Sequence, residues 1–275
     1  MTGLPIETAE AMAAFLLVFF RITGAALSAP LLSNRSFPIQ VRIGLVLFLS
    51  ILMFPLEWER LEEGAMTRLL DDELAAVLTV LSELAIGWTI GWIASVMVFA
   101  AQLAGHLLGQ EIGFGISEVL DPVSENPSAV TTQLFFTLSL VGFVLLGGPD
   151  LLVHSIHRSF AALPPGGVIA AAGLAPAIGL FDPALLVVDA GGEMWRAGVT
   201  MALPGMAGLM LATAAMGILA RAVPEMNVFV LGFTIRILLG LFTTWIVLPF
   251  IGDAFEAYLE VTAGLLGELL GSWEG

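Results

Sequence analysis

Cysteine is absent from this 275-residue chain, which excludes disulfides, thiolate metal sites and cysteine nucleophiles. Lysine is absent as well, so all nine cations are arginines, whose forked guanidinium suits buried pairing better than an ammonium does. One tyrosine and three histidines leave few groups for acid–base chemistry. Charged residues make up 12% of the chain, where a soluble domain carries about a quarter. The net charge of −15 excludes a basic nucleic-acid footprint and disfavours attraction to anionic lipid headgroups.

What fills the chain instead is apolar: 58% of residues are hydrophobic and the mean hydropathy is +0.99. This is the composition of a membrane-class protein, or of one buried among similar proteins. Apolar segments run over about 11–32, 39–56, 74–104, 129–147, 168–191, 197–220 and 226–251. A membrane span needs about 20 such residues; the 74–104 run exceeds that and predicts a tilted or protruding helix. Pro176 and Asp182-Pro183 break the 168–191 run. The Pro-Pro-Gly-Gly in 159–167 predicts a turn, and 57–73 an acidic loop. Residues 254–273 place Phe255, Leu259, Thr262, Leu266, Leu269 and Trp273 on one helical face and Glu256 and Glu260 on another, an amphipathic tail suited to a protein contact. The start, MTGLPIETAE, has two acids and no basic side chain. That is the reverse of a secretory leader, so the first apolar run is expected to be retained. The expected fold is all-α, a single 1–275 domain of membrane-class helices without a fixed-period repeat.

Arg21, Glu83, Asp189 and Arg236 interrupt apolar runs. At mid-membrane each costs about 2.5–3.5 kcal/mol on insertion scales. A proton or ion path is one reading; pairing between helices, or burial against partner chains, is the favoured one. The spacing does not show which charge meets which. Arg35, Arg60, Arg68, Arg158, Arg196 and Arg221 are spread over several loops, which leaves the positive-inside rule little asymmetry. Gly87, Gly91 and Ser95 form a small-xxx-small row, and Gly205, Gly208 and Ala212 lie at similar spacing; both are packing signals.

Chemistry-bearing motifs are scarce. Gly113-Phe114-Gly115 lacks the strand, the third glycine and the lysine of a phosphate loop. Asp150, His154 and His157 share a helical face but lack a recognised metal motif, and a helix end beside a loop is the favoured reading. His106, Gln110 and Glu111 form a polar patch, more simply helix packing than a protonatable switch. No Ser-His-acid set or G-x-S-x-G is present. No catalysis, metal or cofactor is expected.

The densest signal is GHLLGQEIGFGISEVLDPVSENP at 105–127, which places Gly105, Gly109, Gly113 and Gly115 within eleven positions and runs on to Asp121-Pro122. Each glycine weakens a helix by about 1 kcal/mol relative to alanine. Four at near-helical spacing describe a segment built for close backbone approach or for movement.

Three blocks carry a resemblance. The first holds Arg21, Pro30, Pro38 and Arg42; the second runs from Gly105 and Gly109 through Gly113-Phe114-Gly115 to Asp121-Pro122; the third holds Arg221, Pro224, Gly232, Phe233 and Gly240. In content, order and spacing they resemble the FliR family of flagellar export-gate proteins over nearly the whole chain, with the injectisome homologue as close relative. The chain departs from the pattern at Gly147-Gly148-Pro149, where the family often has Asn-Gly-His, and at Thr234, where it often has proline. The resemblance implies bent helical hairpins in a helical hetero-oligomeric gate with FliP, FliQ and FlhB, in the bacterial inner membrane at the flagellar basal body. It implies passage of unfolded flagellar subunits, driven by the proton-motive force and a separate ATPase. It further implies that 109–121 lies in the channel and helps to plug it. Ile112 and Phe114 would then supply an apolar constriction, Gly109, Gly113 and Gly115 the freedom to yield, and Asp121-Pro122 the end of the segment.

A secondary transporter using Arg21, Glu83, Asp189 and Arg236 as midplane charges is the competing reading. It expects inverted repeats and paired broken helices; the chain shows one broken segment. A scaffold without a transport path is the third.

Overall fold

A computed structural model describes residues 6–34, 37–58, 73–114, 130–167, 183–222 and 232–246, with 261, 264, 265 and 267. Among these residues there are helices and turns but no strand. The elements are α1 (Ile6–Ser28), α2 (Ile39–Trp58), α3 (Glu73–Ile112), α4 (Val130–Leu145), α5 (Gly148–Ala162), α6 (Pro183–Ala222) and α7 (Gly232–Ile246). The protein is all-α and of membrane class: α1, α2, α3 and α6 are long and apolar enough to cross a membrane.

Two boundaries differ from the sequence reading. The 74–104 run continues as helix to Ile112 and takes in Gly105 and Gly109. Leucines and buried packing around these glycines outweigh their poor intrinsic propensity. The 168–191 and 197–220 runs are not separated after Gly191: α6 runs unbroken from Pro183 across Gly191-Gly192. Within the stretch that reads as a polar break, Arg196 donates to Glu193 at 2.9 Å and the Thr200 hydroxyl donates to the Arg196 carbonyl at 2.7 Å, so these polar groups find partners along the helix. Pro204 sits inside this helix, a placement that membrane helices tolerate. Helices α3 and α6 have 40 residues each, about 60 Å, twice the hydrocarbon thickness of about 30 Å.

The chain forms two compact units. The first comprises Met1–Ser95, Gly147–Ala190 and Val261–Gly275. In it, α2 buries only the stripe Val46, Ser50, Met53 and Glu57, and Phe15 meets Phe54 edge-on at 5.7 Å. The α1–α3 seam is tighter. A Cβ on Gly24 would strike the Leu84 carbonyl, one on Gly87 the Arg21 carbonyl, and one on Gly91 the Ser28 hydroxyl and the Ala25 carbonyl. Ser28 ties the seam by donating its hydroxyl to the Trp88 carbonyl at 2.8 Å. The glycine row therefore does what small-residue rows do in membranes, bringing two backbones into contact.

The second unit comprises Val96–Leu146 and Gly191–Glu260. Its core is Met97, Val98, Ala101, Ala104, Leu108, Phe135, Phe143, Met201 and Ala202. Glycines again set the approach. A Cβ on Gly105 would lie 2.7 Å from the Thr131 carbonyl, one on Gly198 2.8 Å from the Ala100 carbonyl, and one on Gly205 2.5 Å from Leu108 Cδ2.

The seam makes a measurable prediction. Gly87→Leu lowers the thermal stability of the detergent-purified protein by at least about 2 kcal/mol, because backbone on the far side cannot give way. Gly44→Ala, which meets open space, leaves the melting temperature unchanged or slightly raised. A Gly87→Leu melting curve superimposable on that of the parent contradicts the close seam.

Candidate functional site: a glycine-stopped helix end and a buried ion pair

The C-terminal end of α3 lies in the second unit. Its Gly105 presses on α4 at Thr131 and Phe135, and Gly109 is buried. The helix then stops by a complete Schellman arrangement. The Phe114 N–H donates to the Gly109 carbonyl at 3.0 Å and the Gly113 N–H to the Gln110 carbonyl at 3.0 Å. These bonds define Gly113 as the residue just past the cap. Its φ of +102° is a left-handed conformation that a β-branched residue does not adopt without strain. Gly113 is thus a helix terminator.

Ile112 is fully buried and does not line open space. Its side chain enters a notch at Gly240 on α7, where an added Cβ would come within 2.5 Å of Ile112 Cδ1. Phe233, one residue into α7, lies over Gly113: a Cβ there would be 3.6 Å from the ring. Phe114 is half-buried. His106 and Gln110 share a hydrogen bond of 3.0 Å on the exposed side of α3, a polar patch one turn long. Gly115, Asp121 and Pro122 lie outside the described residues.

The first unit holds the charged centre. Arg21 Nε donates to Glu83 Oε2 at 2.5 Å, with both side chains fully buried. Arg21 Nη1 donates to the Leu163 carbonyl at 2.9 Å and to the Ser159 hydroxyl at 3.3 Å. The guanidinium carbon lies 4.3 Å from the centre of the Phe160 ring, a cation–π geometry. Glu83 Oε1 accepts from the Gly166 N–H at 2.9 Å. The Pro-Pro-Gly-Gly turn is therefore gripped from both members of the pair, and Gly166 takes φ +77° to present its N–H.

Of the four charges in apolar runs, Arg21 and Glu83 are thus brought together. Asp189 is exposed on α6. Arg236, on α7, is half-buried, and its Nε has no hydrogen-bond partner among the described residues. The helix end beside the 159–167 turn is seen directly: His157 Nδ1 lies 3.4 Å from buried Glu57 Oε1, while His154 and Asp150 are exposed. Pro30 is buried in the turn after α1, and Pro38 precedes α2. Arg42 Nη2 donates to the Asn34 carbonyl at 3.2 Å, tying α2 to that turn. Arg221 is exposed in the last turn of α6, and Gly232 meets Met216. Pro224 lies outside the described residues. At the two departures from the family pattern, Gly147 takes φ +81° before α5, and Thr234 is helical.

Sequence reasoning missed Ser159, Leu163 and Gly166 as holders of the ion pair, although the Pro-Pro-Gly-Gly turn marked their neighbourhood. It also missed the notch at Gly240, which carries no local signal beyond a lone glycine in an apolar run.

The ion pair has a defined energetic signature. Arg21→Met or Glu83→Met alone destabilises the protein by on the order of 3–5 kcal/mol, since each strands a buried partner. Arg21→Met combined with Glu83→Met recovers most of that loss, as thermal melting in detergent will show. Additive losses in the double variant contradict the pairing.

Residues 12–261 match the family described as "Bacterial export proteins, family 1". The chain is 30% identical to the flagellar biosynthetic protein FliR of Bacillus subtilis over 82% of each chain. It is 24% identical to the flagellar biosynthetic protein FliR of Escherichia coli over 96% of each. It is also 24% identical to the secretion system apparatus protein SsaT of Salmonella typhimurium, over 91% of this chain and 95% of that one. With its helical, membrane-class architecture and a family match spanning nearly its whole length, the chain belongs to the bacterial export proteins of family 1.

Proposed function

We propose that this chain is a subunit of the flagellar type III protein export gate and that the end of α3 closes its conduit. It acts in the bacterial inner membrane at the flagellar basal body, as a channel component without catalytic chemistry or cofactor. Unfolded flagellar subunits are the passengers. FliP, FliQ and FlhB are the membrane partners. Residues 1–275 work as one export-gate module, and no nucleic acid takes part. The flagellar relatives and the family match support this reading.

The observation that carries it is the glycine stop at Gly113. A 40-residue apolar helix ends in a turn that only glycine adopts without strain, seated on apolar partners. A seal against ions needs a dry apolar contact, and Ile112 with Phe114 supplies one. A seal that yields to a polypeptide needs backbone freedom beside it, the role we assign to Gly113 and Gly115. Large apolar side chains such as Phe48 and Ile51 on α2, Leu211 and Ile218 on α6, and Trp245 on α7 are exposed on the isolated chain. Together they suit lipid and partner helices more than water.

Two results test this. In cells, deleting 109–115 makes the gate leak ions; an intact ion barrier removes the plug role. Gly113→Val strains the turn by on the order of 2 kcal/mol and lowers export of flagellar subunits; normal export removes the requirement for glycine there. The similarity to SsaT favours a second reading, an injectisome gate for virulence effectors. Restoration of motility in a flagellar mutant lacking its own FliR decides for the flagellar pathway.

A further inference from the structure

We infer that the notch at Gly240 is the closing seat of the gate: Ile112 is held in it when the conduit is shut and leaves it when a chain passes. The inference rests on the plug reading above and assigns a positioning role to a residue of α7 outside the plug.

The fit is specific. Ile112 is fully buried, and the atoms that an added Cβ on Gly240 would meet are Cγ1, Cδ1 and Cβ of this one side chain, with Cδ1 at 2.5 Å. Any side chain at position 240 displaces the isoleucine. The Gly240 carbonyl also accepts from the Thr243 hydroxyl at 3.0 Å and from the buried Thr244 hydroxyl at 2.7 Å, local back-bonds of a kind that often bend a helix. Phe233 lies seven residues before Gly240, on the same helical face, and covers Gly113. One face of α7 therefore receives Ile112, the last residue of α3, and Gly113, the first beyond it.

The joint is also of a kind that can open. At Gly105 and Gly198 the approach is backbone to side chain or backbone, with carbonyl oxygens at 2.7 and 2.8 Å from an added Cβ. At Gly240 the three nearest atoms to an added Cβ all belong to the Ile112 side chain. Withdrawing them breaks no backbone hydrogen bond of α3 or α7. Ile112 is the cap residue of the Schellman turn, so movement of Gly113 carries Ile112 with it.

The chain's lack of cysteine makes a clean test available. In the Ile112→Cys/Gly240→Cys variant the two Cβ atoms lie 3.4 Å apart, close to the separation of about 3.8 Å usual in disulfides. Within the intact gate complex in cells, oxidation with diamide is expected to cross-link the pair, retain the ion barrier and cut export at least tenfold. Reductant is expected to restore export. Failure of the pair to cross-link in an assembled gate overturns the seat, and so does undiminished export from a cross-linked one. If the double variant does not assemble, Gly240→Ala decides. It is expected to leak ions with the complex intact, and a tight Gly240→Ala gate overturns the proposal. Deletion of 109–115 separates the two ideas. A deletion that leaks beside a tight Gly240→Ala gate removes the seat alone, whereas a deletion that stays tight removes the plug reading itself.

Discussion

Burying a guanidinium and a carboxylate in an apolar chain is the constraint around which the first unit is organised. Arg21 and Glu83 are both without solvent exposure, so each must find its partners inside the protein. They do so where α1 and α3 touch backbone to backbone. Gly87, one turn after Glu83, rests on the carbonyl of Arg21 itself, so one arginine is held by its main chain and its side chain. Further hydrogen bonds of the pair reach the Ser159 hydroxyl, the Leu163 carbonyl and the Gly166 N–H, while Arg21 Nη2 has no partner among the described residues. A charge pair that is expensive to bury thus sets the register of two helices and fixes a proline–glycine turn.

The second unit follows a different logic. Its largest buried cluster is apolar, with only the hydroxyls of Thr131, Thr132, Ser139 and Thr244 buried among the described polar side chains, and glycines decide how near each helix comes. Helix α3 is fixed firmly at Gly105 and more lightly at Ile112. This gradation suits a helix whose body must stay in place while its tip responds. Gly113 then ends the helix by geometry alone, through a left-handed turn and two backbone hydrogen bonds. The polar patch of His106 and Gln110 lies outside this contact.

Much of this was legible in the residues. The small-residue row at Gly87 and Gly91 marked the close seam, the Pro-Pro-Gly-Gly motif marked a turn, and the charges in apolar runs implied pairing. Their partners were not legible, because Arg21 and Glu83 are 62 positions apart and helical periodicity says nothing about contacts between helices. The continuity of α6 was hidden by polar residues at 189–196, of which Glu193 and Arg196 pair along the helix and Asp189 is exposed. The glycine cluster was legible as a special segment, but its division was not. Gly105 is a helical packing position and Gly109 a buried helical one, while Gly113 is a stop, a distinction made by φ and not by composition. Gly240 was legible only as a motif glycine, since a notch exists only once another helix supplies the side chain that fills it.

The apolar surfaces of α2, α6 and α7 are the counterpart of the shielded charges: this chain buries its ionic centre inside and leaves oily faces outside. Such a molecule is suited to lipid and to neighbouring helices, and its family match extends over 12–261. The most direct measurement is a map of the assembly purified in mild detergent, at a resolution that traces helices. The account predicts this chain within an asymmetric, all-helical complex, with residues 109–115 at its central axis beside α7. A solitary, lipid-surrounded chain with those residues at its periphery would contradict it.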